Sequence, residues 1–374
     1  MQWFDAHLDL ACLAINKRDM LAPLDELNAP NASRSVGPWP PAGVTLDSMR
    51  QAGVIRALAT IFTETNGDGP EGYPEGDAEG AREAGLRQLR IYHNWQHDAG
   101  ISLSTLADPM SPEATDEDGT PVLRHPNSRA FKSTTPTHTH DTIELGILIE
   151  NADPIRTPDE LSWWVERGVV AIGLAWWTPS RYAGGNGTDT GLTPLGRDMI
   201  RAMDDLGVIH DLSHLSQRST EELLEATDRP VIASHSNCRA ILGGTSNKAW
   251  QRHLADDTIR EIARRGGVIG LNLCHNFLRY PLNEGKRPSV EDAVAHVEHI
   301  CDLVGHRNAV GLGSDMDGGF SATQMCEGIE SHADLHRLTD ALAARGWTEQ
   351  ELAAFRWGNW SRFFSQRAPQ PLGR

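Results

Sequence analysis

The sequence predicts an α/β fold, a (β/α)8 TIM barrel with insertions, on three observations. Short β-branched or apolar runs recur down the 374 residues, and most are followed by a stretch with helical periodicity, the sequence form of repeated βα units. Several runs are apolar almost throughout (ELGILIE, VVAIGLAW, GGVIGLNL), as parallel strands covered on both faces require. Eight such runs can be marked, the number that closes a barrel of this kind.

In chain order the runs are 3–10, 54–62, 143–150, 169–176, 208–213, 230–235, 267–273 and 309–315. Between and after them lie the helices. Residues 194–206 (PLGRDMIRAMDDL) follow Thr193 as an N-cap, place Pro194 at the first helical position and stop at Gly207. Residues 256–265 have the same form and end at Gly266-Gly267. Residues 217–227, 290–304 and 333–344 carry apolar residues at i, i+3, i+4 spacing on otherwise charged faces. A barrel of this type needs only ~250 residues. The surplus falls in two Pro/Gly/Asp/Thr-rich stretches, 64–76 and 108–140, which are read as loop insertions in a single barrel domain spanning 1–374.

Composition excludes several function classes. The 34 Lys+Arg stand against 51 Asp+Glu, a net charge of −17, which repels nucleic acid and anionic lipid. No apolar run reaches the ~18 residues of a membrane-spanning helix, and no secretory leader precedes the first strand. A cytoplasmic protein with no membrane partner is expected. The 5 cysteines are scattered, without a CxxC pair, and read as reduced core thiols rather than disulfides or zinc ligands.

The ends of the runs carry the chemistry. In such a barrel the active site forms at the C-terminal ends of the strands. His7 and Asp9 close the first run as HLD, and Glu150 closes the third. His214 follows the fifth in DLSH, His235 closes the sixth in ASHS, and Asp315 closes the eighth in GSDMDG. Each alone is compatible with a hydrogen-bonded rim residue or a helix cap. Together they are either dispersed or gathered around a positive charge, because six ionisable groups buried in one pocket need a counter-ion. Imidazoles and carboxylates without thiolate suit zinc, manganese or iron, and six groups suffice for two ions sharing one carboxylate.

The same strings carry a resemblance. DAHLDL, Glu150, GLTPLGRDMIRAMDDLGVIHDLSHLS (191–216), ASHSNCRAI (233–241), IREIARRGGVIGLN (259–272), VGLGSDMDGG (310–319) and the closing WGNWSRFF (357–364) resemble the membrane dipeptidase (renal dipeptidase) family of the amidohydrolase superfamily. The likeness runs from His7 to about Phe364 and is patchy between Asn66 and His140. It implies a metal-dependent hydrolase barrel with two zinc ions: His7 and Asp9 at one, His214 and His235 at the other, and Glu150 shared by both. Asp315, beside the first ion, would handle the proton of a bridging water that attacks the amide of a small dipeptide as hydroxide. Arg252, aligned with an Arg of the family, would grip the substrate's carboxylate, or else be a solvated Arg flanking a helix. Family members often form homodimers.

One position departs from that pattern. The family normally has a His after the fourth strand, in a string like LTH, where it donates to the carbonyl oxygen as charge develops. Here the segment is GLAWWTPSRYAGG, so Trp176 or Trp177 stands in its place, as a substrate-contacting residue or as apolar packing at the barrel mouth. The loss leaves room for an alternative, an amidohydrolase acting on a lactone, ester or N-acyl amino acid. A non-catalytic metal-binding homologue is a further alternative. Asp317 is expected behind Asp315, and His210 in the core or rim. His138 and His140 are expected at the surface, and His275 has no evident partner.

Overall fold

The computed structural model describes residues 1–107, 142–242, 248–280 and 286–367. In chain order its strands are β1 (Trp3–Leu8), β2 (Val54–Ile61), β3 (Glu64–Thr65), β4 (Gly72–Tyr73), β5 (Ile101–Leu103), β6 (Ile143–Ile149), β7 (Val169–Gly173), β8 (Ile209–Asp211), β9 (Val231–Ile232), β10 (Ile269–Leu271) and β11 (Val310–Leu312). The eight expected runs supply β1, β2 and β6–β11, joined in the order β10-β11-β1-β2-β6-β7-β8-β9 with parallel pairing throughout. Between β9 and β10 the circle is closed by a parallel bridge of Ala233 with Ile269, where the Gly270 N–H donates to the Ala233 carbonyl at 2.8 Å. This is the predicted (β/α)8 barrel.

The strands are shorter than the runs that predicted them, and the residues left over are the polar ones. Asp9, Glu150, His214, His235 and Asp315 all lie just past a strand end, on one rim. Pairing ends there because strands tilted around a barrel diverge at its mouth. Two of these rim residues, His214 (φ 66) and Asp315 (φ 57), take left-handed backbone, which turns the chain sharply away from the sheet.

The helix Pro194–Leu206 is capped as expected: the Thr193 hydroxyl accepts from the Gly196 N–H at 3.0 Å, and Gly207 (φ 70) supplies the left-handed stop. Helices Gln217–Ala226, Asp256–Arg264 and Val290–Val304 match their predicted spans to within a residue. The span 333–344 differs: its first turn is a 3-10 helix, His332–Leu335, before the α-helix His336–Ala344. The longest helix, Ala78–Asp98, was not anticipated, because its buried stripe is broken by Gly85 and Gln88. Strand β5 was missed too. It pairs with Ile143–Leu145, on the part of β6 that β7, starting at Ile147, leaves uncovered.

The stretch 64–76 is built rather than loose. It contains β3 and β4, paired in parallel, and the Tyr73 hydroxyl donates to Asp153 Oδ2 at 2.6 Å. The expected insertion 108–140, with His138 and His140, lies outside the described residues. The opposite end of the barrel is plugged by the closing segment: Trp360 and Phe364 stack on Phe4 at 5.9 and 5.6 Å, and the Trp360 indole N–H donates to the Leu312 carbonyl at 3.0 Å. All five cysteines are free and buried. Among the described residues no helix is long and apolar enough to cross a membrane.

Candidate metal centre

The six rim residues converge. Glu150 Oε1 lies 3.6 Å from His7 Nε2, 3.2 Å from His214 Nε2 and 3.4 Å from His235 Nε2. His214 Nε2 and His235 Nε2 are 2.9 Å apart, and Asp9 Oδ2 is 4.0 Å from His7 Nε2. Donor atoms of His7, Asp9 and Asp315 form one compact group, and those of His7, Glu150 and His235 another. All six side chains are nearly or fully withdrawn from solvent.

The opposite nitrogens of the three rings show which atoms carry hydrogen. Ser234 Oγ donates its proton to Asp211 Oδ2 at 2.5 Å, so its lone pairs accept from Nδ1–H of His235 at 2.8 Å and of His7 at 3.3 Å. His214 Nδ1–H donates to Asn186 Oδ1 at 3.0 Å. Each Nε2 is therefore left with a lone pair, pointed at a carboxylate oxygen and at the other lone pairs. His7 Nε2 is buried without a hydrogen-bond partner among the described residues. Four acceptor atoms facing one another at 3–4 Å repel unless a cation lies among them, and neutral imidazole with a bare Nε2 is the ligand form.

Electrostatics point the same way. Burial holds His7, His214 and His235 well below the usual histidine pKa, with Arg252 adding to the effect at all three and neighbouring rings at His214 and His235. Burial pushes Glu150 and Asp315 well above the carboxylate range, helped in both cases by Asp9, and raises Asp9 to about 6. Three neutral imidazoles around carboxylates that burial would otherwise neutralise make a site that suits divalent cations. The donor set fits zinc, with nitrogen and oxygen ligands and no thiolate.

Other polar groups hold these residues in place. The Thr60 hydroxyl donates to Asp9 Oδ1, and Asn272 Nδ2 donates to Asp315 Oδ2 at 2.8 Å. Asp211 and Ser234 lie within DLSH and ASHS, but nothing in a single sequence separates an inward serine from a capping one. Asn186 comes from a loop without periodicity and gave no signal.

A cavity of about 390 Å3 opens over the centre. Trp39, Phe62, Trp176, Phe277 and Phe320 make its apolar walls, Asp9, Glu64 and Glu71 add carboxylates to the lining, and among the described residues no Lys or Arg lines it. Trp176 packs edge-on to Phe62 at 5.0 Å and lies 6.0 Å from the His214 ring. Trp177, one residue on, is 44% exposed and does not line the cavity. Arg252 is buried behind His235. Its Nη2 donates to the His235 carbonyl at 2.7 Å, its Nη1 to Ser236 Oγ at 3.0 Å, and its Nε has no partner among the described residues. It is not a solvated Arg.

Asp317 turns away from Asp315. Its Oδ2 accepts from Arg18 and from the N–H groups of Gly43 and Val44, tying 43–44 to the Asp315 loop. His210 is a core residue, with Nε2 2.8 Å from Asp204 Oδ1.

A family model described as membrane dipeptidase, peptidase family M19, matches residues 127–370. An uncharacterized protein in the pqqA 5′ region of Klebsiella pneumoniae is 31% identical over 206 residues, 52% of this chain and 71% of its own length. An uncharacterized dipeptidase of Schizosaccharomyces pombe is 34% identical over 147 residues, 39% of this chain, and the match spans only 33% of the yeast protein. Among solved structures, a dipeptidase described as an M19 metallo peptidase superposes with a TM-score of 0.72 at 22% identity, covering 99% of both chains. A metallo peptidase from Rhodobacter sphaeroides, liganded with a phosphinate mimic of the dipeptide L-Ala-D-Ala, does so with a TM-score of 0.72 at 21% identity, covering 98% of this chain and 99% of its own. At such identities the likeness is one of fold.

Proposed function

Because the chain belongs to the membrane dipeptidase family, peptidase family M19, we propose that it is a zinc-dependent dipeptidase, hydrolysing the single amide of a small dipeptide at a two-ion centre. The observation that carries the reading is the convergence of three hydrogen-free imidazole nitrogens on one buried oxygen of Glu150. His7 and Asp9 are assigned to one ion and His214 and His235 to the other, with Glu150 reaching both. When bound, the two ions would supply Lewis acidity toward the scissile carbonyl and the attacking water.

The rest falls to the protein. Asp315, held by Asn272, is assigned the proton of the attacking water, which it would return to the leaving amine. Phe62 and Trp176 shield His214 from solvent and orient the substrate over the centre. Arg252, which does not line the cavity as it stands, is assigned the countercharge of the substrate's carboxylate, a role that requires it to exchange its bond to Ser236. The buried free cysteines suit a reducing compartment, and cytoplasmic residence is part of the reading.

A second reading is favoured by Trp176. An indole N–H never carries charge, and loss of one oxyanion donor typically costs ~100–1000-fold in rate. A bond easier to break than a peptide amide, in a lactone, an ester or an N-acyl amino acid, would tolerate that loss.

A mixed library of L,L and L,D dipeptides, incubated with zinc-loaded protein and read by mass spectrometry with Asp315→Asn as the blank, separates the two. Cleavage absent from the blank is the expected result. Zinc bound but no cleavage above the blank would remove dipeptides from consideration and turn the search to esters and lactones. Metal binding without turnover of any of these would leave a binding protein.

A further inference from the structure

The hydroxyl of Ser234 sits where one group can govern both halves of the centre. Ser234 and Asp211 are fully buried. Asp211 Oδ1 accepts from the N–H groups of Ser213 at 3.1 Å and Ser234 at 2.8 Å, which fixes the plane of the carboxylate, while Oδ2 takes the hydroxyl proton of Ser234. The backbone of Ser234 is equally constrained. A Cβ placed on Gly270 or on Gly313 would lie 1.8 Å from the Ser234 carbonyl oxygen, so Gly270 of β10 and Gly313, just past β11, close on it only because they carry no side chain.

A hydroxyl that has committed its proton keeps two lone pairs. Both are used by imidazoles, those of His235 and His7, whose rings stack with centroids 3.5 Å apart. These two histidines come from different strands and, on the reading above, serve different ions. The other supports are private: Asn186 holds His214, and Thr60 holds Asp9.

We propose that Asp211 and Ser234 are a shared positioning pair, one hydroxyl fixing the tautomer and orientation of one histidine at each metal, so that the two sites are gained and lost together. This rests on the two-ion reading and adds to it that the ions are coupled through the protein as well as through Glu150. With the hydroxyl gone, each Nδ1–H loses its acceptor, and either ring is free to move its proton to Nε2, where it blocks a ligand position. Partners of this kind typically contribute 10–100-fold in metal affinity.

The test is zinc binding, by competition against a chromophoric chelator with equivalents counted by elemental analysis. It uses the wild type, Ser234→Ala, Ser234→Thr, Asp211→Asn and Asn186→Ala, each also melted without metal. Two equivalents are expected for the wild type. Ser234→Ala is expected to weaken both by about 10–100-fold, Ser234→Thr to restore them, and Asn186→Ala to weaken one of the two. Asp211→Asn, which keeps the packing but removes the acceptor of the Ser234 proton, is expected to follow Ser234→Ala even if the latter folds poorly. Wild-type affinity for both ions in Ser234→Ala or Asp211→Asn, or loss of one ion alone, overturns the proposal while leaving the two-ion reading intact. A wild type that binds a single equivalent overturns both.

Discussion

The floor of the cavity and its walls are built by different means. On the floor, each side chain proposed to hold metal or move a proton issues from the end of a barrel strand, and most are backed by a second polar group: Ser234 behind His7 and His235, Asn186 behind His214, Thr60 behind Asp9, Asn272 behind Asp315. The walls come from the connections. Trp39, Glu64, Glu71 and Trp176 belong to segments tied to the barrel at a distance, through Arg18–Asp317 on one side and Tyr73–Asp153–Arg181 on the other. The difference teaches that reactivity here is a property of the barrel, while the choice of what enters is a property of loops that can change without moving a ligand.

If that division holds, floor substitutions act on every substrate alike. Asp315→Asn should lower kcat by ~100–10,000-fold for every substrate the wild type turns over, with zinc retained. Steady-state kinetics across a substrate panel checks this, and a changed order of preference in the variant would break the division. Next in size is Arg18→Ala, which strands the buried Asp317 carboxylate. Loss of one partner of a buried pair costs about 3–5 kcal/mol, measurable by urea unfolding, and should disturb the Trp39 side of the cavity more than metal affinity.

A third effect comes from beneath the floor. His296 Nδ1 accepts from the Cys238 N–H at 3.1 Å, and its Nε2–H donates to the Leu278 carbonyl at 3.1 Å, so the folded protein wants it neutral. Burial lowers its pKa from 6.5 to about 4. A histidine so depressed stabilises the fold above its unfolded pKa and loses that contribution as pH falls toward 4, up to about 3 kcal/mol. Unfolding of metal-free protein at pH 7 and pH 5 should show the loss, and His296→Asn should flatten the slope. A variant as acid-sensitive as the wild type would place the effect in other groups. The smallest effect belongs to the wall: Trp176→His should raise turnover of dipeptides relative to esters by about tenfold or more, with metal content unchanged. Trp177→Ala, turned to solvent, is the control and should shift neither.

The same division governs what could be read from the sequence. The barrel strands are legible because a parallel strand covered on both faces must be apolar along its length, as in 143–149 and 169–173. The six floor residues are legible because they interrupt such runs at one end. Beyond the strand ends that logic stops. Whether Trp176 or Trp177 faces the cavity depends on a loop conformation one residue past any periodicity, and Arg252 lies behind His235 through contacts 16 and 17 residues away in sequence. Strand β5 is three residues long, too short for a pattern, and exists because β6 offers it an edge.

The left-handed backbone at His214 and Asp315 has a consequence for anyone who would engineer this chain. Glycine adopts that conformation freely, whereas a residue with a Cβ gives up on the order of 1 kcal/mol there. At these two positions, therefore, the amino acid that best suits the backbone is one that can neither bind an ion nor carry a proton. A library ranked on heat resistance alone would drift toward glycine at both, and the sturdiest variants it returned would be inert.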